Sequence, residues 1–361
     1  MDNEEVFLRT RLFSFVYRFV RFITRLLFRM GHWAIGRAYD IESIVQFGDR
    51  NLYRTDRWLG RLAFQYTIPA SIEYELYDLR FKSPLIGASF KSDLNILEIW
   101  MKMGLGGITH KTIMHNERKG NQRPRLQQVR IDRQQALINS IGLPGMGVDR
   151  FSKTLPGSVL WDYKRPIGIS IGGEDVEEYY SNFLKIESEL KHNDLSCYFY
   201  ELNISCPNTD TGMAIGDSTN DLETMLNRIR PETSVPLGVK VSPDWNDEQL
   251  YQIGEIVRSY SEMFINSGNT RFVRSVDVDL KEGSMPRGGG GLSGGPLLPR
   301  TLGMISIFRE IGIPLMATGG ISTVHHVRAA KDAGAVLFGL ATALIMDPYC
   351  VPRINCELAR S

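Results

Sequence analysis

Eight short apolar or β-rich runs punctuate the chain from about residue 72 onward, at 85–89, 107–111, 167–171, 197–204, 237–241, 263–265, 314–317 and 335–338. Segments of helical periodicity lie between them, at 93–103, 176–191, 222–230, 247–260, 301–311 and 323–333. Apolar strands alternating with amphipathic helices describe a parallel sheet covered by helices. Eight such units in roughly 280 residues fit a (β/α)8 TIM barrel, with a doubly wound open sheet as the alternative. The unusual residues favour the barrel. Lys111, Asn203, Asn208, Lys240, Asn269, Gly319, Gly320 and Thr342 fall at or just after the C-terminal ends of the runs. Closing the sheet brings all those ends to one rim, whereas no single open-sheet crevice collects so many.

The 361 residues are 43% hydrophobic and 23% charged, which excludes disorder and allows a large core. Four cysteines with no C-x-x-C pair argue against both a disulfide framework and a zinc ribbon, so a reducing compartment is expected. The net charge of +1 hides an asymmetry: the first five residues carry −3 and residues 6–39 carry seven Arg with no Asp, Glu or Lys, so residues 40–361 are mildly acidic at −3. That balance argues against a nucleic-acid partner.

Between residues 12 and 30, thirteen apolar residues accompany Ser14, Thr24 and four arginines, Arg18, Arg21, Arg25 and Arg29, at helical spacings of three and four. On a helix the arginines form one stripe beside a wide apolar face that includes Phe15, Phe19, Phe22, Ile23 and Leu26. A central Arg opposes insertion by roughly 2.5–3.5 kcal/mol while each good apolar residue favours it by about 0.3–0.6, so four arginines cancel the apolar set and a transmembrane span is not expected. An interfacial helix, lying on a membrane surface through residues 6–39 with the arginine heads toward the headgroups, avoids that penalty. A mitochondrial targeting segment and a core-packing helix are the alternatives, and Asp2, Glu4 and Glu5 argue against a secretory signal. Residues 1–70 are therefore read as an amphipathic helical extension and connector, and 71–361 as the barrel.

Gly319 and Gly320 follow an apolar run and precede a helix start, where backbone N–H groups and the helix N-terminus suit a phosphate, and Ala341 with Thr342 completes the cradle. Paired glycines alone also make an ordinary tight turn. Lys111 and Lys240 end apolar runs, where an ammonium requires an anion or polarised oxygen. In the segment ELNISCPNTDTG, Asn203 and Asn208 bracket Cys206. Amides clamp a ligand that offers donors and acceptors, and a thiolate serves as base or nucleophile. A small buried cysteine is the plain alternative. Asn139 and Asn269 bring the amides to four, and no metal-ligand spacing accompanies them. Cys197, Cys350 and Cys356 read as structural, His325 and His326 as surface residues, and the glycine-rich 287–295 as a flexible, backbone-exposed loop.

These motifs resemble the dihydroorotate dehydrogenases over residues 72–346. ELNISCPN carries the resemblance, supported in order by GNQRPRL, INSIGLPGMG, LGVKVSP, INSGNT, GGLSGGP and ATGGI. The resemblance implies an FMN cofactor and oxidation of dihydroorotate to orotate in pyrimidine biosynthesis. It implies Cys206 as the base, as in class 1 enzymes. Asn139, Asn203, Asn208, Asn269 and Thr270 become substrate contacts, and Lys111, Lys240, Gly294, Gly319, Gly320, Ala341 and Thr342 cofactor contacts. The barrel motifs look like class 1A, whose members usually use fumarate, while the extension looks like class 2, whose members reduce membrane quinones. Arg130 falls near an arginine lining the class 2 quinone entrance, although the class 2 GFDK pattern is absent. Giving the extension more weight, the expected oxidant is a quinone. The expected location is monotopic, on the cytoplasmic face of a bacterial inner membrane or on the mitochondrial inner membrane.

Overall fold

The structure, a computed structural model, describes residues 3–36, 38–205, 215–281 and 283–360, so Cys206 and Asn208 lie outside the described residues. Eight parallel strands close into a barrel in chain order. They are β1 (Leu85–Gly87), β2 (Gly107–Ile113), β3 (Ile167–Ile171), β4 (Tyr198–Leu202), β5 (Leu237–Val241), β6 (Met263–Ser267), β7 (Leu315–Thr318) and β8 (Leu337–Leu340). Closure is made where Phe338 of β8 pairs with Leu85 of β1. The open-sheet alternative is thereby excluded. A helix follows every strand. Absent from the sequence reading are the seven-residue Val148–Thr154 and, after β8, Thr342–Met346 and Cys350–Leu358. Asp93, Asp175, Ser218, Asn246 and Thr323 each accept a first-turn N–H, which fixes where five of the helices begin.

Strand alternation sorts the barrel into layers. On β4, Tyr198, Tyr200 and Leu202 belong to the core between strands and helices, while Phe199 turns inward. Phe199 packs there with Phe81, Ile86, Phe264, Met316 and Leu337, above the hairpin of Tyr74–Leu76 and Leu79–Phe81. One step nearer the rim the interior becomes polar, with Glu201, Lys240 and Asn266 all buried.

A separate four-stranded antiparallel sheet joins Leu126–Ile131, Gln134–Asn139, Gly289–Gly294 and Arg271–Arg274. The glycine-rich stretch expected to be a flexible loop contributes one of these strands, which corrects that reading. The reason is close packing: a Cβ on Gly291 would sit 2.0 Å from Thr270 Oγ1, and one on Gly290 2.4 Å from the Asn139 carbonyl. Glycine is depleted in strands generally, so its run carries no strand signal.

The extension is a helical pair, α1 (Asn3–Ala34) and α2 (Glu42–Ala63). The face of α1 toward the barrel mixes apolar and polar side chains, with Val6 buried and Phe13 and Phe28 packed against the core. Thr10 and Ser14 are buried on it, with Tyr17, Arg21 and Thr24 partly buried. Ser14 donates to Asp347 at 2.6 Å, the Tyr17 hydroxyl to the Ile345 carbonyl at 3.0 Å, and Arg21 to Gln128 Oε1 at 2.7 Å. The opposite face leaves Leu12, Phe15, Phe19, Phe22, Leu26 and Trp33 exposed. Only Arg18 and Arg29 of the four-arginine stripe are fully at the surface, because the stripe runs along the border of the buried face and Arg21 and Arg25 fall on its barrel side. Among the described residues, no helix is long and apolar enough to cross a membrane. α2 is tied down by Arg125, which donates to both Glu42 oxygens at 2.8 and 2.9 Å, and by an ion pair between Asp49 and Lys91.

Candidate active site

At the C-terminal rim a cavity of about 1840 Å³ collects every described residue expected to contact substrate or cofactor: Asn139, Asn203, Asn269, Thr270, Lys111, Lys240, Gly294, Gly319, Gly320, Ala341 and Thr342. That volume exceeds the 300–1,000 Å³ typical of a single small ligand.

The amides form a connected set. Asn203, just past β4, donates from Nδ2 to Thr112 Oγ1 at 2.8 Å, and Thr112 contacts Ser170 at 3.0 Å. Asn269 donates to Ser205 Oγ at 2.8 Å, and Ser205 donates to Asn203 Oδ1 at 3.2 Å. Asn139 reaches the Gly291 carbonyl at 3.2 Å across the accessory sheet. Thr112 and Ser205 were not singled out from sequence. Ser205 sits inside ELNISCPN and was findable there, whereas Thr112 is recognised only once β2 and β4 are seen to face one another.

Lys240, only 6% exposed, sits on β5 with its ammonium 3.0 Å from Ser89 Oγ and 3.8 Å from Glu201 Oε1. Lys111 is half-buried within β2, which continues two residues past it to Ile113, so it does not end the strand as expected.

Around the far rim, Gly319 and Gly320 have φ of +135° and +79°, and Gly294 +104°, all in the left-handed half of φ/ψ space. A Cβ on Gly320 would lie 2.7 Å from the Leu298 backbone nitrogen. Beyond them starts the helix Val324–Ala333, capped by Thr323, and Thr342 Oγ1 donates to Ser293 Oγ at 2.9 Å. Backbone approach plus a helix N-terminus is the arrangement that suits a phosphate. His326, expected at the surface, is instead half-buried and lines the cavity, with Nδ1 3.2 Å from Ser322 Oγ; burial lowers its pKa below the usual histidine range. His325 is exposed, as expected.

The cavity does not stop at the rim. It continues past Phe90, Leu126 and Leu137 to Phe13, Val16 and Val20 of α1 and Val45, Leu52 and Leu59 of α2, with Arg21 and Arg25 also on its wall. Arg130 is not among its described lining residues; it is exposed on the accessory sheet, where its Nε donates to the Arg133 carbonyl at 3.0 Å.

Fold and site together define a (β/α)8 barrel enzyme whose reaction chamber opens at the strand ends beneath a helical cover. A family model described as dihydroorotate dehydrogenase matches residues 71–361, and the chain belongs to that family of oxidoreductases of pyrimidine biosynthesis. It is 28% identical over 320 residues to a dihydroorotate dehydrogenase (quinone) of Pseudarthrobacter chlorophenolicus, covering 84% of this chain and 89% of that one. It is 29% identical over 290 residues to a putative dihydroorotate dehydrogenase A (fumarate) of Aquifex aeolicus, covering 77% and 89%. The ligand-free crystal structure of the enzyme from Eimeria tenella superposes with a TM-score of 0.70 at 22% identity, over 85% of this chain and 92% of that one, which supports the fold. Relatives named for different acceptors match almost equally, so identity leaves the acceptor open.

Proposed function

We propose that this enzyme oxidises dihydroorotate on bound FMN and passes the electrons to a quinone taken from a membrane surface. The observation that carries the acceptor is the single cavity joining the amide cluster to the gap between α1 and α2, whose outer surface is apolar. A water-soluble acceptor has no need of such a route, and a lipid-dissolved one does. On this reading the protein is monotopic, held through residues 6–39.

The residues present suit FMN. Gly294, Gly319, Gly320, Ala341 and Thr342 would hold its phosphate, and Lys111 and Lys240 its electron-rich ring system. When bound, FMN supplies the acceptor for the hydride leaving C6 of dihydroorotate. Cys206 takes the C5 proton on its thiolate. Asn139, Asn203, Asn208, Asn269 and Thr270 orient the carboxylate and ring edges, and the hydrogen bonds among Asn203, Ser205 and Asn269 hold two of those amides before substrate arrives.

Anaerobic mixing of the full-length holoenzyme with dihydroorotate should bleach the flavin absorbance, and a ubiquinone analogue should restore it at least tenfold faster than fumarate. No bleaching would reject the substrate. Equal or faster recovery with fumarate would reject the acceptor. Cys206→Ala should slow bleaching by about 10²–10⁴-fold, the usual worth of a positioned base.

A further inference from the structure

Glu201 is 1% exposed and sits inside the barrel, one layer above the aromatic floor, yet it is not among the residues lining the cavity. An ionised carboxylate there is strongly disfavoured unless paired and hydrogen-bonded. Three groups provide for it. Ser89 Oγ donates to Oε1 at 2.5 Å, Asn266 Nδ2 donates to Oε2 at 2.6 Å, and the Lys240 ammonium stands 3.8 Å from Oε1. Lys240 in turn donates to Ser89 Oγ at 3.0 Å. Ser89 thus passes one hydrogen bond from the lysine to the carboxylate, and of the two charged groups only the lysine faces the cavity.

From this arrangement we propose that Glu201 is a positioning and charge-setting residue for Lys240: it fixes the ammonium in place and offsets part of the positive potential that Lys240 presents to the flavin. A lone buried lysine beside the ring would favour the reduced, electron-rich flavin strongly, holding the electrons that the next half-reaction must release. A carboxylate behind the lysine weakens that hold. The inference rests on the flavin reading above, and the two fail separately. Purified protein without flavin ends that reading, whereas a flavoprotein whose potential ignores residue 201 ends only the role of Glu201.

The test is the flavin midpoint potential of the Glu201→Gln holoenzyme. The substitution is nearly isosteric, and Asn266 Oδ1, buried without a hydrogen-bond partner among the described residues, can accept from the new amide if the Asn266 side chain turns over. The potential should rise by about 30 mV or more, a tenfold or greater change in the two-electron equilibrium. In Lys240→Met/Glu201→Gln, which removes both charges, the potential should fall below that of the wild type. A Glu201→Gln potential within twofold of wild type in equilibrium terms would overturn the proposal, as would the same rise in a Lys240→Met background. Should Glu201→Gln fail to fold, Glu201→Asp retains the charge but withdraws it from Lys240. A smaller rise of the same sign supports the proposal, and no rise overturns it.

Discussion

The Ser14 hydroxyl donates to the Asp347 carboxylate at 2.6 Å, joining α1 to the segment that follows β8 across more than three hundred residues of chain. Arg353 supports the same carboxylate oxygen at 2.8 Å, while the other, Oδ1, is buried without a partner among the described residues. Ser14→Ala removes a hydrogen bond to a charged acceptor and should weaken α1 docking by about 1–2 kcal/mol. Hydrogen exchange in residues 10–25 should then speed by at least about fivefold while the helix Val176–His192 is unchanged. Uniform protection in both would mean that the contact does not hold the cover in place.

His110 on β2 is fully buried, packs edge-on against Phe151 and has an Nε2 with no hydrogen-bond partner among the described residues. Burial lowers its pKa to about 4. The unfolded chain therefore binds a proton near pH 6.5 that the folded chain refuses until about pH 4, so stability from this group is complete above 6.5 and is lost as pH falls through that window. The loss approaches about 3 kcal/mol, and His110→Leu should flatten the melting temperature between pH 7 and 5. A variant whose profile parallels the wild type would place the acid sensitivity elsewhere.

How much of this was readable beforehand depended on which residues carried the pattern. The eight strands were legible because each is a short apolar run, and the rim residues because polar side chains interrupt those runs at their ends. The accessory sheet was not. Its glycine strand lacks the side chains from which a period is read, and its partner Gln134–Asn139 begins with two exposed glutamines. Arg21 was legible as part of a stripe, but which border of α1 faces the barrel is set by Ser14, Tyr17 and Gln128 together, a contact between distant segments. Glu201 went unremarked because a single acid in an apolar strand has no meaning until Lys240 and Asn266 stand beside it.

Gly320 combines a positive φ with a close backbone approach in the rim segment proposed to hold the phosphate. Alanine there must adopt φ near +79° and bring its Cβ against the Leu298 backbone. Strain of about 1–3 kcal/mol is expected, and the turn should shift to relieve it. Gly320→Ala should purify with less than half the wild-type FMN content, read from the ratio of flavin to protein absorbance. Full occupancy would show that this turn does not shape the cofactor site.

Asn269 donates to Ser205, which donates to Asn203, so truncating the first amide both removes a proposed substrate contact and loosens the second. Asn269→Ala should raise the Kd for orotate about 10–100-fold, in line with about 1.5–3 kcal/mol for a hydrogen bond to a charged group. Equilibrium titration of the flavin spectrum measures it. A Kd within twofold of wild type would remove Asn269 from the substrate contacts.

The exposed face of α1 allows the proposed membrane attachment to be tested apart from the chemistry. Phe19 and Phe22 are 55% and 60% exposed, so replacing both with serine leaves the buried face of α1 and the cavity wall intact. Moving one phenylalanine side chain out of water contributes roughly 1.5–3 kcal/mol. Partitioning of the double variant onto vesicles of mixed neutral and anionic lipid should therefore fall at least about 100-fold. Flavin bleaching by dihydroorotate should stay at the wild-type rate, because neither side chain reaches the amide cluster, while recovery with a long-chain quinone held in those vesicles should slow. Unaltered partitioning would place membrane contact on another surface. Normal quinone recovery despite lost partitioning would mean that the acceptor does not arrive through this face.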